Sequence, residues 1–173
     1  MKFFILDVDG VMTNGNFFYN CEGKILKSFG PDDSDALSIL KNYINIEFVT
    51  GDRKGFDISK KRISDDMGYP LSLVSTIQRK EWIEKKYDLN DVIYMGDGIF
   101  DFFVMKAVGY SIAPSNADKN ALKVADFVTE RIGGNRAVSE ASMHILGKFF
   151  NVKSLEVAIK ENKIINTGEW TVC

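Results

Sequence analysis

Residues 3–13 read Phe3-Phe4-Ile5-Leu6-Asp7-Val8-Asp9-Gly10-Val11-Met12-Thr13. The short apolar run at 3–6 predicts a buried parallel strand, because both faces of such a strand are covered. Asp7 and Asp9 stand at its carboxyl end, where ligands and catalytic groups gather in open α/β sheets. Gly10 lets the backbone turn tightly away from them. By itself the pair fits either an aspartate-rich turn or a divalent-metal site with an aspartyl nucleophile for phosphoryl transfer.

Apolar runs and helical segments alternate along the rest of the chain. Strands are predicted at 46–50, 71–74, 92–96, 110–113 and 126–129, and helices at 33–41, 56–67, 79–87, 100–107, 117–124 and 136–149. Two extended stretches on either side of 20–23 predict a β-hairpin over about 15–29, with Gly23 supplying a positive φ. Such alternation is typical of a parallel sheet with helices on both faces. The predicted fold class is therefore α/β, a three-layer Rossmann-like parallel sheet with a hairpin flap.

Polar groups also follow two other predicted strands and open one predicted helix. They are Thr50-Gly51 after strand 46–50, Asp97 and Asp101 in Gly96-Asp97-Gly98-Ile99-Phe100-Asp101 after strand 92–96, and Lys80 in helix 79–87. Each has an ordinary explanation by itself, as a turn, a helix cap or a solvated charge. Because parallel strands end at one edge of a sheet, the ordered set predicts a single site there.

This set, Asp-x-Asp-Gly followed by Thr-Gly, Lys and Gly-Asp-x-x-x-Asp, resembles the motifs of the haloacid dehalogenase superfamily of phosphohydrolases. The resemblance implies that Asp7 is the nucleophile, which attacks phosphorus and becomes an aspartyl phosphate. It implies a Mg²⁺ site formed by Asp7, Asp97 and the backbone carbonyl of Asp9, since a carboxylate that approaches a phosphate dianion needs a cation. The side chain of Asp9 is expected to point away from the metal and to act as general acid, then base.

The same resemblance assigns the groups around the phosphoryl. Thr50 and the N–H of Gly51 are expected to bind its oxygens, and Lys80 to add positive charge where negative charge develops. Asp101 is expected to orient Lys80 through a charged hydrogen bond.

The spacing of these motifs leaves no room for a lid domain. The intervals from Asp7 to Thr50 and from Thr50 to Lys80 are filled by predicted hairpin, helices and strands. We therefore expect a haloacid dehalogenase-like domain without a cap over residues 1–150, followed by a more polar C-terminal tail at 151–173. Relatives without a cap either act on macromolecules or close their sites by oligomerisation.

Local resemblances over about residues 4–150 favour the second class. The stretch 7–15, the hairpin, residues 29–33 and the segment Gly133-Gly134-Asn135-Arg136-Ala137-Val138-Ser139-Glu140 resemble two related groups. These are the 3-deoxy-octulosonate 8-phosphate phosphatases and the phosphatases of nine-carbon 2-keto-3-deoxy sugar acids. They form tetramers in which the hairpins associate and a neighbouring subunit completes each pocket, so a homotetramer is expected here.

Several positions depart from the pattern of these phosphatases. Gly98 replaces the second Asp of a common Gly-Asp-Asp, Arg79 stands where an Asp usually precedes the lysine, and Arg136 and Ser139 replace a glycine and an arginine. Asp52 stands where the octulosonate enzymes usually carry arginine, and the nine-carbon relatives tend to be acidic there. These changes leave the phosphoryl chemistry intact and leave the identity of the sugar open.

The sequence thus predicts a Mg²⁺-dependent phosphomonoesterase for a phosphorylated 3-deoxy-2-keto sugar acid of the octulosonate 8-phosphate or nonulosonate 9-phosphate type. Candidate substrate contacts are Asp33, Asp52, Arg62 and Arg136, the arginines because a guanidinium can bind a carboxylate through two hydrogen bonds. Two alternatives stay open, a promiscuous small-molecule phosphatase and a noncatalytic tetramerisation module of sugar-nucleotide biosynthesis. The clustered carboxylates argue against the module, because a scaffold has no need of them.

Composition limits the partners and the location. A net charge of -2 gives no basic surface for nucleic acid. No apolar run approaches the roughly 18 residues of a membrane span, and no signal-peptide pattern is present. With two cysteines in 173 residues, reduced thiols in a cytoplasmic protein are the expectation.

Overall fold

The computed structural model describes residues 1–161, and its centre is one sheet of six parallel strands. The strands lie in the order β5-β4-β1-β6-β7-β8. Their bounds are β1 (Phe3–Asp7), β4 (Asn45–Thr50), β5 (Leu71–Leu73), β6 (Val92–Met95), β7 (Tyr110–Ala113) and β8 (Phe127–Val128), while β2 (Phe18–Asn20) and β3 (Gly23–Leu26) form a separate antiparallel hairpin. The predicted α/β fold with a hairpin flap is confirmed.

Helices cover both faces of the sheet. Their bounds are α1 (Pro31–Leu40), α2 (Phe56–Lys60, continued by a π-helical turn at Lys61–Asp66), α3 (Arg79–Lys86), α4 (Asp101–Met105), α5 (Lys119–Val124), α6 (Ala137–Phe150) and α7 (Leu155–Glu161). One core lies between the sheet and α1, α6 and the π-helical turn; the other lies between the sheet and α3, α4 and α5. Within the described residues, the segments between the motifs hold only these elements, and no cap domain is inserted.

The central strand β1 shows why the site forms where it does. Side chains alternate along a strand. Phe4 and Leu6 accordingly enter one core and Ile5 the other. In register, Asp7 pairs with Val49, the residue before Thr50, and Leu6 pairs with Met95, which precedes Gly96-Asp97. The polar ends of three adjacent strands therefore meet at one edge of the sheet.

The hairpin is built as the sequence predicts. Gly23 has a φ of 135°, which an L side chain rarely adopts. The side-chain Oδ1 of Asn20 accepts the N–H groups of Glu22 and Gly23, which closes the turn. The strands themselves are shorter than the predicted 15–29, because only Phe18–Asn20 and Gly23–Leu26 pair with each other.

Part of the predicted tail is helical. The helix α7 occupies Leu155–Glu161, and Val152 and Ala158 are buried in the core beside α1 and α6. Residues 162–173 lie outside the described part of the chain. None of the helices that the structure describes combines the length and the apolar character needed to cross a membrane.

Candidate active site

Three carboxylates converge at the carboxyl edge of the sheet. One oxygen each from Asp7, Asp97 and Asp101 lie within 4.8 Å of one another. Asp7 ends β1, whereas Asp97 and Asp101 belong to the loop and the helix that follow β6. Like charges this close repel each other unless a cation or a proton lies among them. The cluster is therefore a candidate cation-binding site.

Arg79 is the cation that the structure places beside Asp7. Its side chain is 1% exposed; Nη1 donates to Asp7 Oδ2 at 2.7 Å, and Nη2 donates to Asp7 Oδ1 at 3.0 Å. Nη1 also lies 2.8 Å from Asp101 Oδ1 and 2.9 Å from the hydroxyl of Tyr94. A planar guanidinium can bridge several acceptors in this way, whereas an ammonium is a point charge.

Lys80, to which the sequence analysis assigned this role, does not lie beside Asp7. Lys80 is exposed on α3, and its neighbour Arg79 enters the site. Successive helical residues point in directions about 100° apart, so only one of the two can face the sheet. Ile83, which is fully buried and lies four residues after Arg79, marks that buried face. The i, i+4 spacing from Ile83 was the signal in the sequence that favoured Arg79.

Asp101 binds Arg79, whereas the resemblance implied that it would orient Lys80. Besides binding Arg79 through Oδ1, Asp101 accepts the hydroxyl of Tyr94 at 2.6 Å. Its Oδ2 accepts the backbone N–H groups of Asp97 and Gly98 at 3.1 and 2.8 Å. One carboxylate thus fixes both the guanidinium and the loop that carries Asp97.

The cluster holds more carboxylates than cationic groups. Burial, the nearby charge of Asp7 and that of Asp101 raise the pKa of Asp97 to about 8. Burial and Asp101 likewise raise the pKa of Asp7 to about 7, even though Arg79 acts in the opposite direction. One guanidinium therefore does not neutralise the three carboxylates, of which Asp7 and Asp101 are buried and Asp97 is half-buried, and a bound divalent cation would reverse both shifts.

The backbone beside the cluster is shaped to bring main-chain atoms close to it. Gly10 has a φ of 89°, and a Cβ there would overlap the carboxylate of Asp97. A Cβ on Gly133 would in turn overlap the carbonyl of Gly10, and the N–H of Gly134 donates to Val11 at 2.9 Å. The backbone of the glycine-rich segment therefore packs directly against the Asp-x-Asp-Gly loop. Carboxylate and carbonyl oxygens are the ligands of hard divalent cations, so the residues present fit such a metal.

Asp9 lies in the same loop but outside the carboxylate cluster. Its Oδ2 accepts a hydrogen bond from the hydroxyl of Thr50 at 3.2 Å and another from Lys27 Nζ at 2.9 Å. Thr50 is fully buried, and its Oγ1 also accepts the N–H of Asp52 at 3.1 Å. Thr50 thus ties the end of β4 to Asp9, and Gly51 lies exposed beside them.

Two hairpin lysines in the site were missed by the sequence analysis. The side chains of Lys24 and Lys27 are 3% and 0% exposed, and both ammonium groups bind Asp52 Oδ2. Although burial opposes the effect, hydrogen bonds from the two lysines lower the pKa of Asp52. No motif or period singles out these lysines, because their role depends on how the hairpin folds back onto β4 and α2.

A cleft of about 670 Å³ opens over these groups. Asp7, Asp9 and Arg79 line its floor, and Arg53 and Trp82 are among the residues of its walls. Arg62 and Arg136, expected to contact the sugar acid, are not among the residues that line this cleft in the described chain. Arg136 instead donates from Nε to Asp32 Oδ2 at 2.8 Å on the surface, and Arg62 is half-buried in the π-helical turn.

Asp33, expected to contact the substrate, is buried and is not among the described residues that line the cleft. Asp33 is 1% exposed, and its Oδ1 accepts the N–H of Ser139 in the first turn of α6 at 2.8 Å. The helix α1 begins at Pro31, two residues before the predicted start, because proline fits a first helical turn. Asp33 therefore lies inside α1 and caps α6, whose N-terminus a carboxylate stabilises.

Comparison with known proteins agrees with this geometry. A family model of haloacid dehalogenase-like hydrolases matches residues 78–140. The 3-deoxy-D-manno-octulosonate 8-phosphate phosphatase KdsC of Salmonella typhi is 30% identical over 150 residues, which are 81% of this chain and 76% of that protein. KdsC of Yersinia pestis is 28% identical over 156 residues, or 84% of this chain and 80% of that protein.

A solved structure extends the likeness to three dimensions. The cobalt-bound deoxy-D-mannose-octulosonate 8-phosphate phosphatase YrbI of Haemophilus influenzae superposes with a TM-score of 0.77 and 27% identity, covering 91% of this chain and 95% of that one. The resemblance inferred from the motifs is confirmed. The chain belongs to the haloacid dehalogenase-like hydrolases, in the branch of the KdsC phosphatases, and it is a phosphatase.

Proposed function

We propose that this phosphatase hydrolyses a phosphorylated 3-deoxy-2-keto sugar acid, of the octulosonate 8-phosphate or nonulosonate 9-phosphate type, through an aspartyl phosphate on Asp7. The observation that carries the proposal is the position of Asp7, which is buried and lines the cleft. Arg79 donates two hydrogen bonds to its carboxylate, and the carboxylate of Asp97 lies beside it. The names of the relatives in Salmonella and Yersinia support the substrate class.

Mg²⁺ is the cofactor of the proposal. Asp7, Asp97 and the backbone carbonyl of Asp9 would hold it, and the raised pKa values of Asp7 and Asp97 support a cation at this place. The bound ion would neutralise charge between the nucleophile and the phosphate dianion. The cobalt in the Haemophilus neighbour supports a divalent ion, and an all-oxygen ligand set favours Mg²⁺.

In the proposed reaction, Asp7 is the nucleophile and Asp9 transfers the protons. An oxygen of Asp7 attacks phosphorus, the bond between phosphorus and the sugar oxygen breaks, and Asp9 gives that oxygen a proton. Asp9 next takes a proton from the water that attacks the aspartyl phosphate, which releases phosphate and restores Asp7. The N–H of Gly51 and the Nε–H of Arg79, a buried donor that has no partner among the described residues, are the proposed donors to phosphoryl oxygens, with Thr50 holding the loop.

The test is a panel of phosphorylated sugar acids, unrelated sugar phosphates and p-nitrophenyl phosphate, assayed with Mg²⁺ and after chelation. We expect an eight- or nine-carbon 3-deoxy-2-keto acid phosphate to give the highest kcat/KM, with activity lost on chelation and restored by Mg²⁺. Equal kcat/KM across the panel would instead show a promiscuous phosphatase. Failure to hydrolyse any of the sugar-acid phosphates would contradict the proposed substrate class.

A homotetramer is the proposed assembly. Four apolar side chains of the hairpin are between 44% and 59% exposed in the single chain, namely Phe18, Tyr19, Ile25 and Leu26. An apolar surface of this kind is typical of an interface between subunits. In the tetramer, Arg136 and the neighbouring glycine-rich loop would border the cleft of another subunit, where Arg62 and Arg136 could bind the sugar carboxylate.

Light scattering tests the assembly. We expect the wild-type protein to have four times the mass of one chain, and the double change Phe18→Ser and Ile25→Ser to reduce that mass and to raise KM. Ile77→Ser is the matched control, because Ile77 is 68% exposed but lies outside the hairpin. A wild-type monomer with full activity would contradict the assembly and the assignments of Arg62 and Arg136.

A cytoplasmic location completes the proposal. Cys21 carries a free, exposed thiol in the described structure, which supports a reducing compartment. The second cysteine, Cys173, lies outside the described residues.

A further inference from the structure

Lys27 is a buried cation to which the proposed chemistry assigns no role. Its side chain is fully buried although it comes from the exposed hairpin. The ammonium of Lys27 donates to Asp9 Oδ2 (2.9 Å) and Ser59 Oγ (2.8 Å), and it forms an ion pair with Asp52 Oδ2 at 2.9 Å. Lysine is rarely buried without partners, and this set of contacts fixes the position of the charge.

These contacts determine the orientation of the Asp9 carboxyl group. Lys27 and Thr50 reach the same oxygen, Oδ2, from two different parts of the fold. Oδ1 lies 2.7 Å from the ammonium but makes no hydrogen bond in the described structure. The carboxyl group of Asp9 is therefore held by two hydrogen bonds to Oδ2 and by the charge of Lys27 beside Oδ1, outside the cluster of Asp7, Asp97 and Asp101.

A second contact holds the hairpin in place above Asp9. Lys24 pairs with Asp52 and lies 3.2 Å from the centroid of the Phe17 ring. Asp52 Oδ1 accepts the N–H of Gly55 at 3.1 Å. A Cβ on Gly55 would lie only 2.8 Å from Lys24 Cδ and 2.9 Å from Lys27 Cε, so the start of α2 leaves just enough room for the two lysine stems.

We propose that Lys27 is a positioning residue for Asp9, and that the pairing of Lys24 with Asp52 keeps the hairpin closed so that Lys27 can act. Lys27 holds the proton-transferring carboxyl group at a fixed angle to the leaving oxygen. This inference rests on the proposed function, in which Asp9 supplies that proton. It adds a requirement for the hairpin of the same chain, independent of any contact between subunits.

The test is a double-mutant cycle on the full-length protein with Mg²⁺. Lys27→Met, Asp9→Asn and the double variant are each assayed on the best sugar-acid phosphate and on p-nitrophenyl phosphate. Because nitrophenolate leaves without a proton, loss of a general acid, worth about 10²–10⁴-fold, should affect only the sugar phosphate. We expect Lys27→Met to lower kcat on the sugar phosphate by about 10²-fold and to change the aryl ester by less than about threefold. The double variant should be no slower than Asp9→Asn, because a positioning residue has no effect once its target is absent.

Two further variants keep the test decisive. Lys24→Met removes a hairpin lysine that does not contact Asp9, and it should cause a smaller loss than Lys27→Met. Ser59→Ala removes one acceptor of Lys27 and leaves its charge in place, so it reports on the same effect if Lys27→Met does not fold. Ser59→Ala should slow hydrolysis of the sugar phosphate more than hydrolysis of the aryl ester. This difference should appear when Asp9 is present and disappear in the Asp9→Asn background.

Equal losses of Lys27→Met or Ser59→Ala on both substrates, or losses that multiply with that of Asp9→Asn, would overturn the role of Lys27 and leave the proposed function standing. If Asp9→Asn itself slows both substrates equally, the acid assignment fails and the role of Lys27 fails with it.

Discussion

The Asp7→Asn protein should lose turnover by about 10⁴-fold or more and still fold. An amide nitrogen or oxygen cannot replace the carboxylate that attacks phosphorus, and the loss of other catalytic nucleophiles has effects of this order. The Oδ1 of an asparagine can still accept the N–H of Val8, and the main-chain pairing of β1 does not involve the side chain. Initial rates on the best substrate, with Mg²⁺ in excess, measure the effect.

Stability measurements on the same variant test the electrostatics. Burial raises the pKa of Asp7 to about 7 without metal, so the folded protein binds a proton that the unfolded chain releases at lower pH. The stability of the metal-free wild type should therefore fall as pH rises from 3.8, the ordinary pKa, to about 7, and that fall should be smaller in Asp7→Asn. Asp35→Asn, on the exposed side of α1, is the control for adding an amide. Substantial turnover by Asp7→Asn would exclude the aspartyl-phosphate mechanism.

The sheet and the catalytic edge were predictable because they depend on local patterns. Short apolar runs that end in polar residues give parallel strands, and parallel strands necessarily bring Asp7, Thr50 and Asp97 to one edge. The confirmed features are the parallel sheet, the hairpin and the family, each of which follows from residues close together in the sequence.

The errors occur where long-range packing decides the outcome. Lys80 and Arg79 are adjacent cations, and which of them enters the site depends on how α3 turns its buried face, marked by Ile83, towards the sheet. Asp33 caps α6 because α1 and α6 pack side by side, which nothing near residue 33 could reveal. Lys27 acts only because the hairpin folds back, so its part in the site could not be read from its neighbours in the sequence.

The choice between the two cations gives the second large prediction. Arg79→Met should destabilise the protein by about 3–5 kcal/mol, because it leaves the buried carboxylates of Asp7 and Asp101 without their partner. It should also lower kcat by about 10²–10³-fold, as loss of a donor to developing negative charge does. Because Mg²⁺ would itself partner the carboxylates, the loss of stability should be smaller when the ion is present. Thermal unfolding with and without Mg²⁺, together with initial rates below the melting temperature, separates the two effects.

Lys80→Met is the matched control, and it discriminates between the two assignments. An exposed lysine of α3 should contribute within about 0.5 kcal/mol to stability, and its removal should leave kcat within about twofold. Arg79→Lys keeps the charge but loses the fork that spans Asp7, Asp101 and Tyr94, so its activity should lie between those of wild type and Arg79→Met. A large loss in Lys80→Met with a normal Arg79→Met would restore the lysine as the catalytic cation. Full activity in Arg79→Lys would show that charge alone, without the bidentate geometry, is what Asp7 requires.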